Sequence, residues 1–579
     1  MTARDGILDR RQSRSDRIAR LLPWFDRSYL VFGAVAIGLL VLVLNPLLQL
    51  VHQSLQNPDS AAFTLGNYVT AFANLRHLVS IWHSILLGLV VAALCVLFGV
   101  PLAWAVAQTN MPGKTLVSTL VLVAFITPDY LTSISWILLA GPNAGWINRA
   151  FVAVTGARTG ILDIYSFWGI AFVIATSSLP YVFIFTAAAL RSLSAEMVDA
   201  GRILGAGVLR TTFSIVLPLV APSIMAAAII TFLEAVATFG APALLGLSVG
   251  FRVISTQLWE FFSYPMQVEV ACAYSVPLVL ITATLFWLQS RMTRRRGYVL
   301  QTGKAAAVKP IDLGPYRWVA LGLCLLLLSL IVVLPYLTLI STAFSRAWGA
   351  GLSWSNLTLV NFSNILADPT ISAAMIHTFT YALAATLLAV VIGLLVAVIV
   401  VRRIIPFGPV LSVVCMAPFV IPGMVMAIGF YAAYAPPPFS LYGTSLIVIL
   451  ALATRFLPIA FAGMSSAMRT INVDMENQMR NLGGDRLMTV RYVILPLLKQ
   501  SIVGAGILVF IPALRELSTA IFLSVDSTRT LSVMIFDLSE QGRLETLSAI
   551  GLVLLVATMV VVGIGFKLLG RNFLMRREI

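Results

Sequence analysis

Charge is what this chain has least of. Asp, Glu, Lys and Arg make up 11% of its residues against 59% hydrophobic, and the mean hydropathy is +0.96. That polar fraction is too small to cover a soluble fold of this length, which leaves the integral membrane class. Cysteine and histidine are almost as rare. Cys95, Cys272, Cys324 and Cys415 lie singly in apolar stretches, and His52, His77, His83 and His377 lack metal-ligand spacing, so neither a disulfide framework nor a zinc site is expected. No nucleophile, base and orienting group can be assembled. The nearest thing to a phosphate loop, Met111-Pro112-Gly113-Lys114-Thr115, has Gln108 where that loop needs a glycine, and no strand precedes it.

What the chain does have is long apolar runs. A spanning helix needs about 20 mainly apolar residues, and such runs fall roughly at 28–52, 83–107, 115–140, 164–190, 214–245 and 268–290. Six more follow roughly at 316–343, 374–401, 408–435, 443–465, 494–523 and 546–570. The reading is an all-α polytopic membrane protein of about 12 spans, with tails over 1–27 and 571–579 and a linker over 291–315 between domains 28–290 and 316–570. The first run exceeds the h-region of a cleavable signal and follows an Arg-rich tail, so it reads as a retained anchor. The net charge of +15 is an orientation signal: with both termini inside, 29 of the 38 Lys and Arg residues fall on the inner side and 7 outside. Nucleic-acid binding is not needed to explain it.

The chain is one unit written twice. Trp82-His83-Ser84 matches Ile376-His377-Thr378 and Pro128 matches Pro422, both 294 residues apart. Beyond them the offset becomes 278, as in Leu179-Pro180 with Leu457-Pro458, Arg191 with Arg469, and Leu217-Pro218 with Leu495-Pro496. The first copy carries about 16 extra residues near Gly141 to Asp163. Six spans per copy, an even number, make the two repeats parallel.

Two polar stretches interrupt the apolar pattern at equivalent points. Ser194 and Asn472 are good N-caps, Glu196 and Asp474 suit the helix dipole, and Gly205 and Gly483 offer a stop. Each encodes a helix of about 15 Å, too short to span. Here the chain resembles the permease subunits of binding-protein-dependent ABC importers (MetI-like). Their inner loop reads Glu-Ala-Ala, three residues, Gly, nine residues, Ile, any residue, Leu-Pro. Asp199, Ala200, Gly201, Gly205, Ile215, Leu217 and Pro218 match it; in the second copy Asn477, Gln478 and Met479 replace the triplet while Gly483, Val493, Leu495 and Pro496 keep the spacing. The resemblance implies a coupling helix in each copy, two ATP-binding subunits inside that use the ATP, a solute-binding protein outside, and no cofactor bound by this chain.

Charges within apolar spans are costly and by default face a bundle interior or water. Asp129, Glu234, Arg455, Arg515 and Glu516 qualify. Glu516 and Arg515 align with Thr238 and Ala237, so they break the repeat at the fifth span; because the family it resembles lines its path largely with this span, the resemblance makes Glu234, Arg515 and Glu516 the candidate pathway residues. Pairing of these groups with one another or with carbonyls is the competing reading. Pro128, Pro418 and Pro422 read as kinks. Leu514-Arg515-Glu516-Leu517-Ser518-Thr519 resembles the ferric-iron branch of the family; 2-aminoethylphosphonate, thiamine, polyamines and sulfate are the other cargoes that the resemblance allows. A twelve-span secondary transporter is the rival class, and the doubled polar loop argues against it.

Overall fold

The computed structural model describes residues 27–60, 62–193, 207–295, 310–351 and 353–569. Among them there are helices and isolated bridges but no named strand. The first repeat supplies α1 (Leu30–Ser54), α2 (Leu75–Gln108), α3 (Lys114–Ile126), α4 (Asp129–Ala140), α5 (Trp146–Thr155) and α6 (Phe167–Arg191). It continues with α7 (Thr212–Ala237), α8 (Gly240–Gly246), α9 (Ile254–Phe262) and α10 (Val268–Arg291). The second supplies α11 (Tyr316–Ala343), α12 (Pro369–Val401), α13 (Gly408–Phe419), α14 (Gly423–Tyr434), α15 (Ser445–Thr470) and α16 (Val473–Asn481). Its last four elements are α17 (Arg486–Leu514), α18 (Ala520–Leu523), α19 (Leu531–Glu540) and α20 (Leu544–Gly565).

Ten of these helices are long and apolar enough to cross a membrane, and three bent pairs raise the number to as many as 13. Both third spans are bent pairs: α3 turns through 100° into α4, and α13 through 111° into α14. The runs expected at 115–140 and 408–435 are therefore not continuous rods. Pro128 and Pro422 are the N-caps of α4 and α14, so the prolines divide these spans and do more than kink them. The fifth spans are shorter than expected too. They end at Ala237 and Leu514, after which the chain breaks and restarts in α8 and α18.

Four π-helical turns, at Leu40–Leu44, Thr212–Val216, Ser329–Val333 and Val490–Ile494, each precede a proline by two residues. Pro46, Pro218, Pro335 and Pro496 have no N–H to donate, and their rings crowd the carbonyl four residues back, so the helix widens there. In the two fifth spans this puts Ile215 and Val493 inside a π turn, with Leu217-Pro218 and Leu495-Pro496 directly after it.

Within each repeat the second span crosses the fourth at a glycine. A Cβ on Gly99 would stand 3.1 Å from Val182, and one on Gly393 would stand 2.9 Å from the Phe461 nitrogen. Across repeats the first spans are exchanged. Leu39 and Val43 of α1 share a buried cluster with Val396 and Leu457, and Cys324 and Leu328 of α11 share one with Val117 and Leu179. A third cluster runs through both copies, joining Tyr130 and Phe239 to Met424 and Phe522. All four cysteines are buried free thiols.

Candidate translocation path and docking helix

The breaks in the third and fifth spans meet at one place, and five charges carried within the apolar spans meet there with them. A cavity of about 550 Å³ between the repeats is lined by Asp129, Tyr181 and Glu234 from the first and by Arg455, Arg515 and Glu516 from the second. Each charge answers a need of the local backbone. Asp129 opens α4, and its Oδ2 accepts from Thr238 Oγ1 at 3.2 Å and from the Ala241 amide at 3.3 Å, where α8 begins. Glu516 does the same for the second copy, its Oε1 accepting from the Thr519 amide at 3.0 Å and hydroxyl at 3.2 Å. Both carboxylates thus take up N–H groups that a continuous helix would have satisfied itself.

The guanidiniums serve the other helix ends. Arg455 lies 3.2 Å from Glu516 through Nε, with side chains only 18% and 10% exposed, so this is a buried pair. Arg515 crosses between repeats: its Nη1 donates to the Phe125 carbonyl at 2.6 Å and the Thr127 carbonyl at 3.2 Å, at the C-terminal end of α3. Glu234, one turn before α7 ends, lines the same cavity as Tyr181 of α6. Glu234, Arg515 and Glu516, the candidate pathway residues, all line this cavity. The competing pairing reading also describes what Arg455, Arg515 and Glu516 do; the groups are paired and line the cavity at once.

Tyr181, Thr238 and Thr519 were not singled out by sequence, because neutral hydroxyls are common in apolar helices. A signal existed in the repeat. The 278-residue offset places Ser177 at the position of Arg455 and Thr238 at that of Glu516, so positions carrying charge in one copy carry hydroxyls in the other.

The second polar stretch forms α16. Asn472 caps it, accepting from the Asp474 amide at 3.0 Å, and Gly483 follows with φ of +82°, a conformation glycine adopts without strain. Asn477 and Gln478 are exposed, Met479 is half-buried, and Met475, Leu482, Leu487 and Met488 stand exposed around them. Only Glu476 turns inward. Its Oε1 accepts from Arg402 Nε at 2.7 Å, and Arg402 Nη2 also reaches the Ile471 carbonyl at 3.1 Å, tying α16 to the ends of α12 and α15. Sequence reading missed this pair because each partner stands alone in its own segment. Asp199, Ala200, Gly201 and Gly205 of the first polar stretch lie outside the described residues.

The family model for the binding-protein-dependent transport system inner membrane component matches residues 96–298 and again 389–574, more than half of the chain. The chain belongs to that family. It is a multi-pass permease subunit of ABC importers, and the second match repeats the first as the offsets require. Among curated relatives, the ferric transport system permease protein FbpB of Actinobacillus pleuropneumoniae is 26% identical over 83% of this chain and 69% of its own length. The sulfate transport system permease protein CysT of Escherichia coli is 25% identical over 48% of this chain and 96% of its own, one repeat's worth. Among solved structures, a bacterial ABC transporter involved in import of the acidic polysaccharide alginate aligns with 48% of this chain and 99% of that chain, at 16% identity and a TM-score of 0.40.

Proposed function

We propose that this permease forms the translocation path of an ATP-driven importer and that its cargo is ferric iron. Two copies of an ATP-binding subunit dock on the polar segments that begin at Ser194 and Asn472. A solute-binding protein delivers cargo to the opposite face, both termini are cytoplasmic, and the chain itself binds no ATP. The observation that carries the reading is the convergence of Glu234, Arg515 and Glu516, from both repeats, on one cavity at the helix breaks. Irregular backbone at membrane depth is tolerated where it lines a cavity. The distribution of Lys and Arg supports the orientation, the exposed face of α16 supports docking, and the relative named for ferric transport supports the cargo.

The path is tested in proteoliposomes holding the permease with its ATPase subunits. Glu234→Gln is expected to lower transport at least tenfold at wild-type abundance; unchanged transport would remove Glu234 from the path. Docking is tested by Gly205→Arg with Gly483→Arg, which should abolish ATPase association, and retained association with transport would reject it. Cargo is read by titrating the partner solute-binding protein with ferric iron and, because one relative is a sulfate permease, with sulfate. Binding of sulfate and not iron would overturn the cargo assignment.

A further inference from the structure

The Arg515 contact holds more than a tie between repeats. Pro128 has no N–H, and Asp129 starts a new helix at 100° to the old one, so the last carbonyls of α3 lose their helical donors. Thr127 turns its hydroxyl back to the Val123 carbonyl at 2.8 Å, which leaves its own carbonyl free to face outward. Two carbonyl oxygens thus face Arg515 at this bend, and Asp129, two residues on, lines the same cavity. That is a set of hard oxygen donors at a helix C-terminus, the kind of place that holds cations in broken-helix transporters. In this conformation the cation there is a guanidinium from the other repeat, which also lies 5.7 Å above the Phe125 ring.

We propose that the Phe125 carbonyl, the Thr127 carbonyl and the Asp129 carboxylate form a cation-transit site which Arg515 fills, so that cationic cargo and the Arg515 guanidinium exclude one another. The inference rests on the reading of this cavity as the pathway. Charge supports it: three carboxylates and two guanidiniums line the cavity, a net of one negative charge when all are ionised. Withdrawal of Arg515 adds a second. Asp129 is kept in place independently of Arg515, by Thr238 and the Ala241 amide, so the site persists when the guanidinium leaves. Arg515 follows α17 of the second repeat and its acceptors end α3 of the first, so separation of the repeats is what withdraws it. Ala237 stands at the repeat position of Arg515, and the bend at Pro422 receives no guanidinium from that position.

Affinity follows from the donor set. Among the described residues no group of three or more His, Cys, Asp or Glu side chains could hold a metal ion. The site therefore grips a cation with carbonyls and one carboxylate, weakly enough for it to leave, as conduction requires.

The test uses the permease with its ATPase subunits in nanodiscs of zwitterionic lipid, with Tb3+ as the probe for a hard cation and its sensitised luminescence as the readout. Arg515→Ala is expected to bind Tb3+ at least tenfold more tightly than the wild-type protein, and Asp129→Asn in that background to remove the gain. Arg515→Lys should stay with the wild type. No gain in Arg515→Ala, or a gain that survives Asp129→Asn, would overturn the proposal. Arg515→Cys keeps the comparison within one folded protein: a cationic methanethiosulfonate adduct should return the affinity to the wild-type level and an anionic adduct should raise it. Equal affinity of the two adducts would overturn it equally. Tb3+ binding does not depend on transport, so failure of Glu234→Gln to impair transport would remove the pathway reading alone.

Discussion

The two repeats solve the same backbone problem with the acid on opposite sides of the contact. In the first, the carboxylate comes from the bend of the third span, Asp129, and the partner after the fifth span is Thr238. In the second, the carboxylate is Glu516, at the Thr238 position, and the Asp129 position is Gly423. Thr519, equivalent to Ala241, donates its amide to Glu516 as Ala241 does to Asp129. What both copies need is a carboxylate for the N–H groups freed at the break; which strand of the contact supplies it is open. The second copy's choice follows from Arg455, which replaces Ser177. Its guanidinium occupies the space into which a Cβ at Gly423 would project, so an acid there is replaced by glycine and the charge moves across to Glu516.

The sharpest way to break that comparison is Gly423→Asp. The new side chain must displace Arg455, crowd the site and bring a second carboxylate beside Glu516, and we expect a loss on the order of 4 kcal/mol. Folded yield and thermal unfolding of the purified permease would show it. The triple change Gly423→Asp, Arg455→Ser, Glu516→Thr transplants the first repeat's set and should recover most of the loss. A neutral single variant, or a triple no better than the single, would mean that the acid has not been exchanged between the two sides.

How much of this could be read from sequence depends on what hydropathy measures. The offsets of 294 and 278 residues, the position of the spans and the five costly charges are properties of side-chain type, and all were legible. The prolines marked kinks in the third spans but not their size, because a window over 115–140 averages the same whether α3 and α4 form one rod or meet at 100°. The charges were the missing signal: Asp129, Arg515 and Glu516 stand where the backbone is broken, and Pro128 is what frees the carbonyls that Arg515 takes. Contacts between segments far apart, such as Arg402 with Glu476 or Arg515 with the Phe125 carbonyl, had no pattern to reveal them.

A second comparison lies at the docking face. Gln108 and Arg402 are repeat-equivalent, and each reaches a carbonyl at the end of the fourth span, Leu190 at 2.7 Å and Ile471 at 3.1 Å. Arg402 meets an acid as well, Glu476, whereas the sequence puts Val198 at the equivalent position. The pair is well buried, with side chains 13% and 6% exposed, so removing one partner strands the other. Glu476→Val alone is expected to cost about 3 kcal/mol, and Arg402→Gln with Glu476→Val much less, because the double variant rebuilds the first repeat's arrangement. A cycle of chemical unfolding measurements reads the coupling, and additive losses would show that the two side chains act separately.

The smallest expected effect belongs to the linker, which only one repeat holds. Ile311 donates to the Gln108 carbonyl at 2.7 Å and accepts from the Asn110 amide at 2.9 Å, while the Asn110 side chain bridges Asp312 at 2.5 Å and the Leu313 amide at 3.0 Å. Ile404 stands at the equivalent position and can make no such bridge. Asn110→Ala should cost about 1 kcal/mol at most and raise hydrogen exchange at the Ile311 amide severalfold, whereas Ile404→Ala should leave that amide unchanged. Acid gives an independent route to the same bond. The Gly314 amide and the Asn110 side chain hold the Asp312 carboxyl below its usual range, so its contribution is complete above the ordinary aspartate value and is lost as pH falls through the lowered folded-state value. Exchange at Ile311 should therefore be indifferent to pH near neutrality, after correction for the intrinsic rate, and rise only in strong acid. A rise near neutral pH would mean that Asp312 is not what holds the linker.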